Sequence, residues 1–74
     1  MDNPTTLTAG SGTLLIDVVA ARIQGEYREM PGLRLTLRQA HRLFGVDATV
    51  CSLVLEQLTR DKFLVRSADG HFSQ

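Results

Sequence analysis

The chain has 74 residues, 43% of them hydrophobic and none of them tryptophan, which allows one aliphatic core and excludes a second. Eight basic and eight acidic side chains cancel to a formal net charge of zero, so the whole-molecule attraction of a strongly basic domain to nucleic acid is excluded. The lone Cys51 excludes an intramolecular disulfide, and a reducing cytoplasmic setting fits it best.

Residues 1–12 contain Pro4, Gly10, Gly12 and several Thr and Ser, a mixture with little to bury, and are expected to form a flexible N-terminal tail ahead of a domain spanning 13–74. From about Thr13 to Met30, Leu15, Val19, Ile23, Tyr27 and Met30 recur at helical spacing, and Pro31-Gly32 ends the pattern. This is the first predicted helix. Gly25 weakens its middle by about 1 kcal/mol relative to alanine, which points to a packing reason or to fraying. The apolar run from Leu14 to Ile23 is broken by Asp17 and Arg22 and falls well short of the roughly 20 residues that cross a bilayer. No basic segment precedes it, so it reads neither as a signal peptide nor as a membrane span.

Leu33-Arg34-Leu35 alternates apolar and polar residues and is expected to form a very short strand, too short to stand without partners. Thr36 and Gln39 then make a Thr-x-x-Gln capping box, which starts a two-turn helix over Leu37 to Phe44. That helix buries Leu37, Ala40 and Phe44 and stops at Gly45. Asp47 is a good N-cap for the next helix, so Gly45-Val46-Asp47 is a tight inter-helix turn. The third helix is expected over Ala48 to Arg60, with Cys51, Val54, Leu55 and Leu58 on its buried face. The period then changes to that of a hairpin: Phe63 to Arg66, a Ser67-Ala68-Asp69-Gly70 turn, and His71 to Ser73.

Helix, short strand, helix, three-residue turn, longer helix and hairpin follow one another in this order. The run Leu35-Thr36-Leu37-Arg38-Gln39-Ala40-His41-Arg42-Leu43-Phe44-Gly45-Val46-Asp47, continued through Leu55, Leu58, Phe63-Leu64-Val65-Arg66 and Asp69-Gly70, resembles the winged helix-turn-helix superfamily of small bacterial regulators. The resemblance covers residues 33–74 well and the first helix loosely. It implies an α+β, mostly α fold and a transcriptional regulator that binds double-stranded DNA, with the third helix in the major groove and the hairpin wing on the backbone or minor groove. The family commonly has glycine where this chain has Lys62, so the backbone there is expected to be either strained or differently turned.

The residues carry that expectation unevenly. Opposite its buried face the third helix presents Thr49, Ser52, Gln57 and Arg60, which supply donors for base edges or phosphates, but also Leu53 and Glu56, which do not. Arg34, Arg38 and Arg42 recur every four residues in a stretch without acids, and Arg66 and His71 lie on the hairpin; all five are candidate backbone contacts. Spaced arginines are equally what a solvated helix face contains. A competing function is a winged-helix interaction or homodimerisation module without DNA binding. Leu14, Val18, Ala21 and Gly25 form a second stripe on the first helix, where small residues permit close approach of another helix, and Leu53 adds an apolar outward position. The same stripe would also be accounted for by covering the wing or the tail.

Catalysis and cofactors are not expected. Cys51 lies on the predicted buried face, and with His41 and His71 it gives too few ligands for zinc. Gly10-Ser11-Gly12-Thr13 lacks the lysine and preceding strand of a phosphate loop. One filled core leaves little room for a substrate pocket.

Overall fold

The structure, a computed structural model, describes the backbone of residues 4–74 and the side chains of residues 15–74. The described residues form three helices, α1 (Pro4–Glu29), α2 (Leu37–Phe44) and α3 (Ala48–Arg60), and three short strands, β1 (Leu35–Thr36), β2 (Val65–Arg66) and β3 (His71–Ser73). The class is α+β and mostly helical. Among the described residues no helix is long and apolar enough to cross a membrane.

Local chemistry sets the boundaries of α2 and α3 where the sequence places them. At the start of α2, the Gln39 backbone N–H donates to Thr36 Oγ1 at 3.1 Å, and the Thr36 N–H donates to Gln39 Oε1 at 3.0 Å, so both members of the capping box are satisfied. Gly45 ends the helix in the left-handed region at φ 66, and the Val46 N–H closes the end by donating to the His41 carbonyl at 3.1 Å. Asp47 Oδ2 then accepts from the Thr49 and Val50 N–H groups at 2.9 and 3.4 Å, which starts α3.

The end of α3 repeats this closure with an L-residue in the glycine position. Lys62 has φ 65, and the N–H groups of Lys62 and Phe63 donate to the carbonyls of Thr59 and Leu58 at 3.0 and 2.9 Å. This is a complete Schellman closure built at a conformation that a residue with a Cβ adopts at a cost. The strain expected at Lys62 is present.

The strands form one antiparallel sheet in the order β1-β3-β2. Leu35 pairs with Phe72 and Thr36 with His71, while Val65 pairs with Ser73 and Arg66 with Phe72. The last strand is therefore the central one, and it supplies the partner that the short β1 requires. Tyr27 of α1 is fully buried, and its hydroxyl donates to the Phe72 carbonyl at 2.8 Å, which ties the first helix to the central strand across 45 residues of sequence.

Helix α3 packs against both α1 and α2, and one core unites Val19, Ile23 and Tyr27 of α1 with Ala40, Phe44, Cys51, Val54, Leu55, Leu58, Leu64 and Phe72. Several boundaries and packing positions differ from the sequence pattern. Helix α1 begins at Pro4 rather than near Thr13; the apolar periodicity that marks a helix is absent from its threonine- and glycine-rich first turns. Leu15 and Met30, expected in the core, are exposed. Among the described side chains, the first on α1 to pack against the core is the half-buried Ile16, one residue after Leu15, and Met30 follows the last helical residue. Leu37 is only half-buried, because it opens α2 at the rim of the core. The first strand is Leu35–Thr36 rather than 33–35, and the hairpin's first strand keeps only Val65–Arg66, since Phe63 and Leu64 are taken up by the α3 closure.

Candidate nucleic-acid interface

The turn Gly45-Val46-Asp47 fixes α2 against α3 from both sides, one helix closed by Gly45 and the other opened by Asp47. With Cys51, Val54, Leu55 and Leu58 turned into the core, the opposite side of α3 is determined by helical geometry. Thr49, Leu53, Glu56 and Arg60 are exposed on it, and Ser52 and Gln57 flank it half-buried. All four polar candidates on α3 thus reach the surface, though Ser52 and Gln57 present only part of their side chains. Leu53 is 50% exposed, open to solvent on the side of α3 that faces away from the core.

The arginines divide into engaged and disengaged sets. The guanidinium of Arg22 lies 6.0 Å from the Phe44 ring centroid, that of Arg28 5.3 Å from Phe63, and that of Arg66 5.8 Å from Phe72, distances at which the ring quadrupole attracts a cation. Arg34 approaches the Asp69 carboxylate at 3.9 Å. Arg38 and Arg42 on α2 and Arg60 at the end of α3 are exposed, and among the described residues they enter no ion pair and lie over no ring. Neutral overall charge therefore coexists with three exposed arginines, two on α2 and one on α3, that engage no described partner.

Between α3 and the hairpin runs an open cleft of about 200 Å³ lined by Glu56, Thr59, Arg60, Arg66 and Phe72. The Thr59 hydroxyl donates to the Leu55 carbonyl at 2.8 Å. A second groove, about 320 Å³, lies between α1 and the α2–α3 turn, with Leu15, Val19, Arg22, Val46 and Val50 among its walls.

The hairpin turn is organised by Asp69, a residue the sequence places in a turn without assigning it a partner. The Ser67 hydroxyl donates to Asp69 Oδ1, and His71 Nδ1 lies 3.0 Å from the same oxygen. The Ser67 hydroxyl first and the nearby His71 imidazole second outweigh desolvation and, with smaller Coulombic help from His71 and Arg34, hold the Asp69 carboxyl down at about 2. The backbone closes the turn through Ser67 N–H to His71 O at 2.8 Å and Gly70 N–H to Ser67 O at 3.0 Å, with Gly70 at φ 85. His71 is thereby half-buried within the hairpin rather than free at its surface.

Of the residues expected at a partner interface, Val18 and Ala21 are exposed on α1 and Leu53 on α3, while Gly25 is half-buried. Leu14 lies outside the described side chains. A Cβ added at Gly25 would meet nothing within 4 Å, so among the described residues no packing reason keeps glycine there. Cys51 is fully buried and burial pushes its thiol up, the behaviour of an inert core cysteine. Among the described residues no three His, Cys, Asp or Glu side chains gather as a metal site would require. No family model matches the chain, and no curated protein and no solved structure matches it.

Proposed function

We propose that the chain is a small cytoplasmic winged helix-turn-helix protein that binds double-stranded DNA as a transcriptional regulator, most effectively as a homodimer. The reading is carried by one observation: α2, a three-residue doubly capped turn and α3 leave a solvent-facing side on α3, with Arg38 and Arg42 exposed on α2 and Arg60 exposed at the end of α3, none engaged with a described partner. The β2–β3 hairpin shares a cleft with α3, which supports reading it as a candidate wing. Thr49, Ser52 and Gln57 offer donors toward base edges, and Arg34, Arg38, Arg42, Arg66 and His71 are the backbone candidates.

The test is binding of the purified protein to a labelled mixed-sequence duplex across a salt series. The expected log–log slope is about −0.9 per phosphate neutralised. Arg38→Ala and Arg42→Ala are expected to weaken binding equally on all sequences and each to make the slope shallower by about one such unit. No binding at low salt would overturn the reading.

A protein-interaction module is the second reading, favoured by the exposure of Val18 (64%) and Leu53 (50%) on two different helices. It predicts that Val18→Glu or Leu53→Glu dissolves an assembly while the helical circular dichroism signal persists. A wild-type monomer at every accessible concentration would remove homodimerisation from either reading.

A further inference from the structure

Three groups from two separate stretches of chain converge on one carboxylate oxygen at the hairpin turn. Ser67 Oγ donates to Asp69 Oδ1, His71 Nδ1 sits 3.0 Å from it, and a terminal guanidinium nitrogen of Arg34, from the segment before β1, lies 3.9 Å away. The Ser67 hydroxyl is itself fixed, because it accepts the His71 N–H at 3.0 Å. His71 Nδ1 is enclosed and lies close to Asp69 without the alignment of a hydrogen bond, so its directional capacity is unused. Asp69 by contrast is largely exposed and sits at the turn's tip, able to leave by rotating its side chain.

A hydroxyl, an imidazole and a guanidinium aimed at one point form a donor set suited to a phosphate oxygen. We infer that Ser67, His71 and Arg34 form a phosphate-binding site at the hairpin turn, and that the Asp69 carboxylate occupies it in the free chain. A phosphodiester would enter by displacing Asp69, which makes that residue an internal competitor. The low position of its carboxyl, about 2, keeps the competitor charged throughout the ordinary pH range. The site's ligand class follows from its donors; that the phosphate belongs to duplex DNA rests on the function proposed above.

Asp69→Asn removes the charge and keeps the size and an acceptor oxygen for Ser67. Inorganic phosphate titrated into the labelled variant is expected to shift the amides of residues 67–71 and the Arg34 side-chain resonance, with half-saturation at roughly tenfold lower phosphate than in wild type, the factor that one charge-assisted hydrogen bond represents. Asp61→Asn, the removal of another exposed acid, is expected to leave the wild-type half-saturation unchanged. On duplex DNA, Asp69→Asn should bind more tightly and steepen the salt slope by about 0.9, and adding Arg34→Ala should cancel the gain.

Phosphate shifts that are absent from the hairpin of the Asp69→Asn variant, or located elsewhere, overturn the inference. Should the substitution disturb the turn, seen as loss of the Ser67–His71 backbone pairing, Asp69→Ser provides the same comparison with a small turn-compatible residue. The two proposals fail separately: localised phosphate shifts without duplex binding would leave the site and remove the DNA reading, whereas duplex binding without those shifts would do the reverse.

Discussion

Lys62→Gly should stabilise this domain, an unusual sign for a substitution to glycine. Lys62 is exposed and holds φ 65 at the closure of α3, where the left-handed conformation costs an L-residue about 1–2 kcal/mol. Glycine adopts it without that penalty but gives back about 0.5–1 kcal/mol through its freer unfolded chain. Loss of a cation beside the helix C-terminus subtracts about 0.3 kcal/mol more at an exposed position. The balance is about 0.5 kcal/mol in favour of glycine, or a rise in Tm of roughly 2–4 °C for a domain of this size. Lys62→Ala isolates the charge, since it removes the ammonium while retaining the Cβ, and it should be neutral or slightly destabilising. Gly45→Ala places a Cβ at the matching conformation, φ 66, and should cost about 1 kcal/mol. Thermal unfolding of the three variants by circular dichroism decides the matter. If Lys62→Gly melts no higher than Lys62→Ala, the backbone at this closure is not strained and the reasoning fails.

Tyr27→Phe removes the donor to the buried Phe72 carbonyl and should cost about 1–2 kcal/mol at neutral pH in denaturant unfolding. Burial, with a smaller contribution from Cys51, pushes the Tyr27 hydroxyl up to about 12 from its ordinary 10.0; the unfolded chain therefore sheds this proton first, and wild type should lose about 2–3 kcal/mol between pH 10 and 12. The phenylalanine variant should show a shallower alkaline decline, and an unchanged slope would deny Tyr27 its role. Gly25→Ala should raise stability by about 1 kcal/mol, because the new Cβ meets nothing within 4 Å; a loss of stability that grows with protein concentration would instead show that Gly25 lies in an interface. Glu56→Gln on the exposed side of α3 should strengthen duplex binding at low salt on all sequences if the acid only repels phosphate, whereas loss of preference at one cytosine would identify it as an acceptor for the cytosine amino group.

The parts of the fold legible in the sequence were those fixed by local hydrogen bonding. Thr36 with Gln39, Gly45 and Asp47 each satisfy orphan backbone groups within a few residues, so α2 and α3 could be placed to the residue. Lys62 stood out only through the family resemblance, which puts glycine at that position. Tertiary reach was harder to read. Leu15 continues the helical periodicity of Val19 and Ile23 but stands at the edge of what α2 and α3 cover, and periodicity specifies a face without specifying where the partner ends. The Tyr27 to Phe72 hydrogen bond and the convergence of Arg34 on Asp69 join residues far apart in the chain, and no spacing rule connects them. At the candidate interface the outward residues of α3 followed from the buried ones, whereas the engagement of Arg34, Arg66 and His71 depended on the sheet that brings β1 and β2 to either side of β3.

That sheet also changes what zero net charge means. A count treats the eight cations alike, but Arg22, Arg28 and Arg66 rest against aromatic rings, and Arg34 faces a carboxylate. Such cations still contribute to the field around the molecule, but each would give up an internal contact to bind a phosphate, so its gain in affinity is reduced. Arg38, Arg42 and Arg60 give up no comparable contact with a described residue. Arg38 and Arg42 are exposed on α2 and Arg60 on α3, which also carries the exposed Glu56, while Asp17, Glu26 and Glu29 lie on α1. Attraction to an anionic partner is screened over about 8–10 Å at physiological salt, so acids on α1 weaken it little if they lie farther than this from the α2–α3 face. The affinity of a neutral chain for DNA would therefore depend on how those three arginines are arranged against Glu56, Asp47 and Asp61 on and around α3, more than on the sum of its charges.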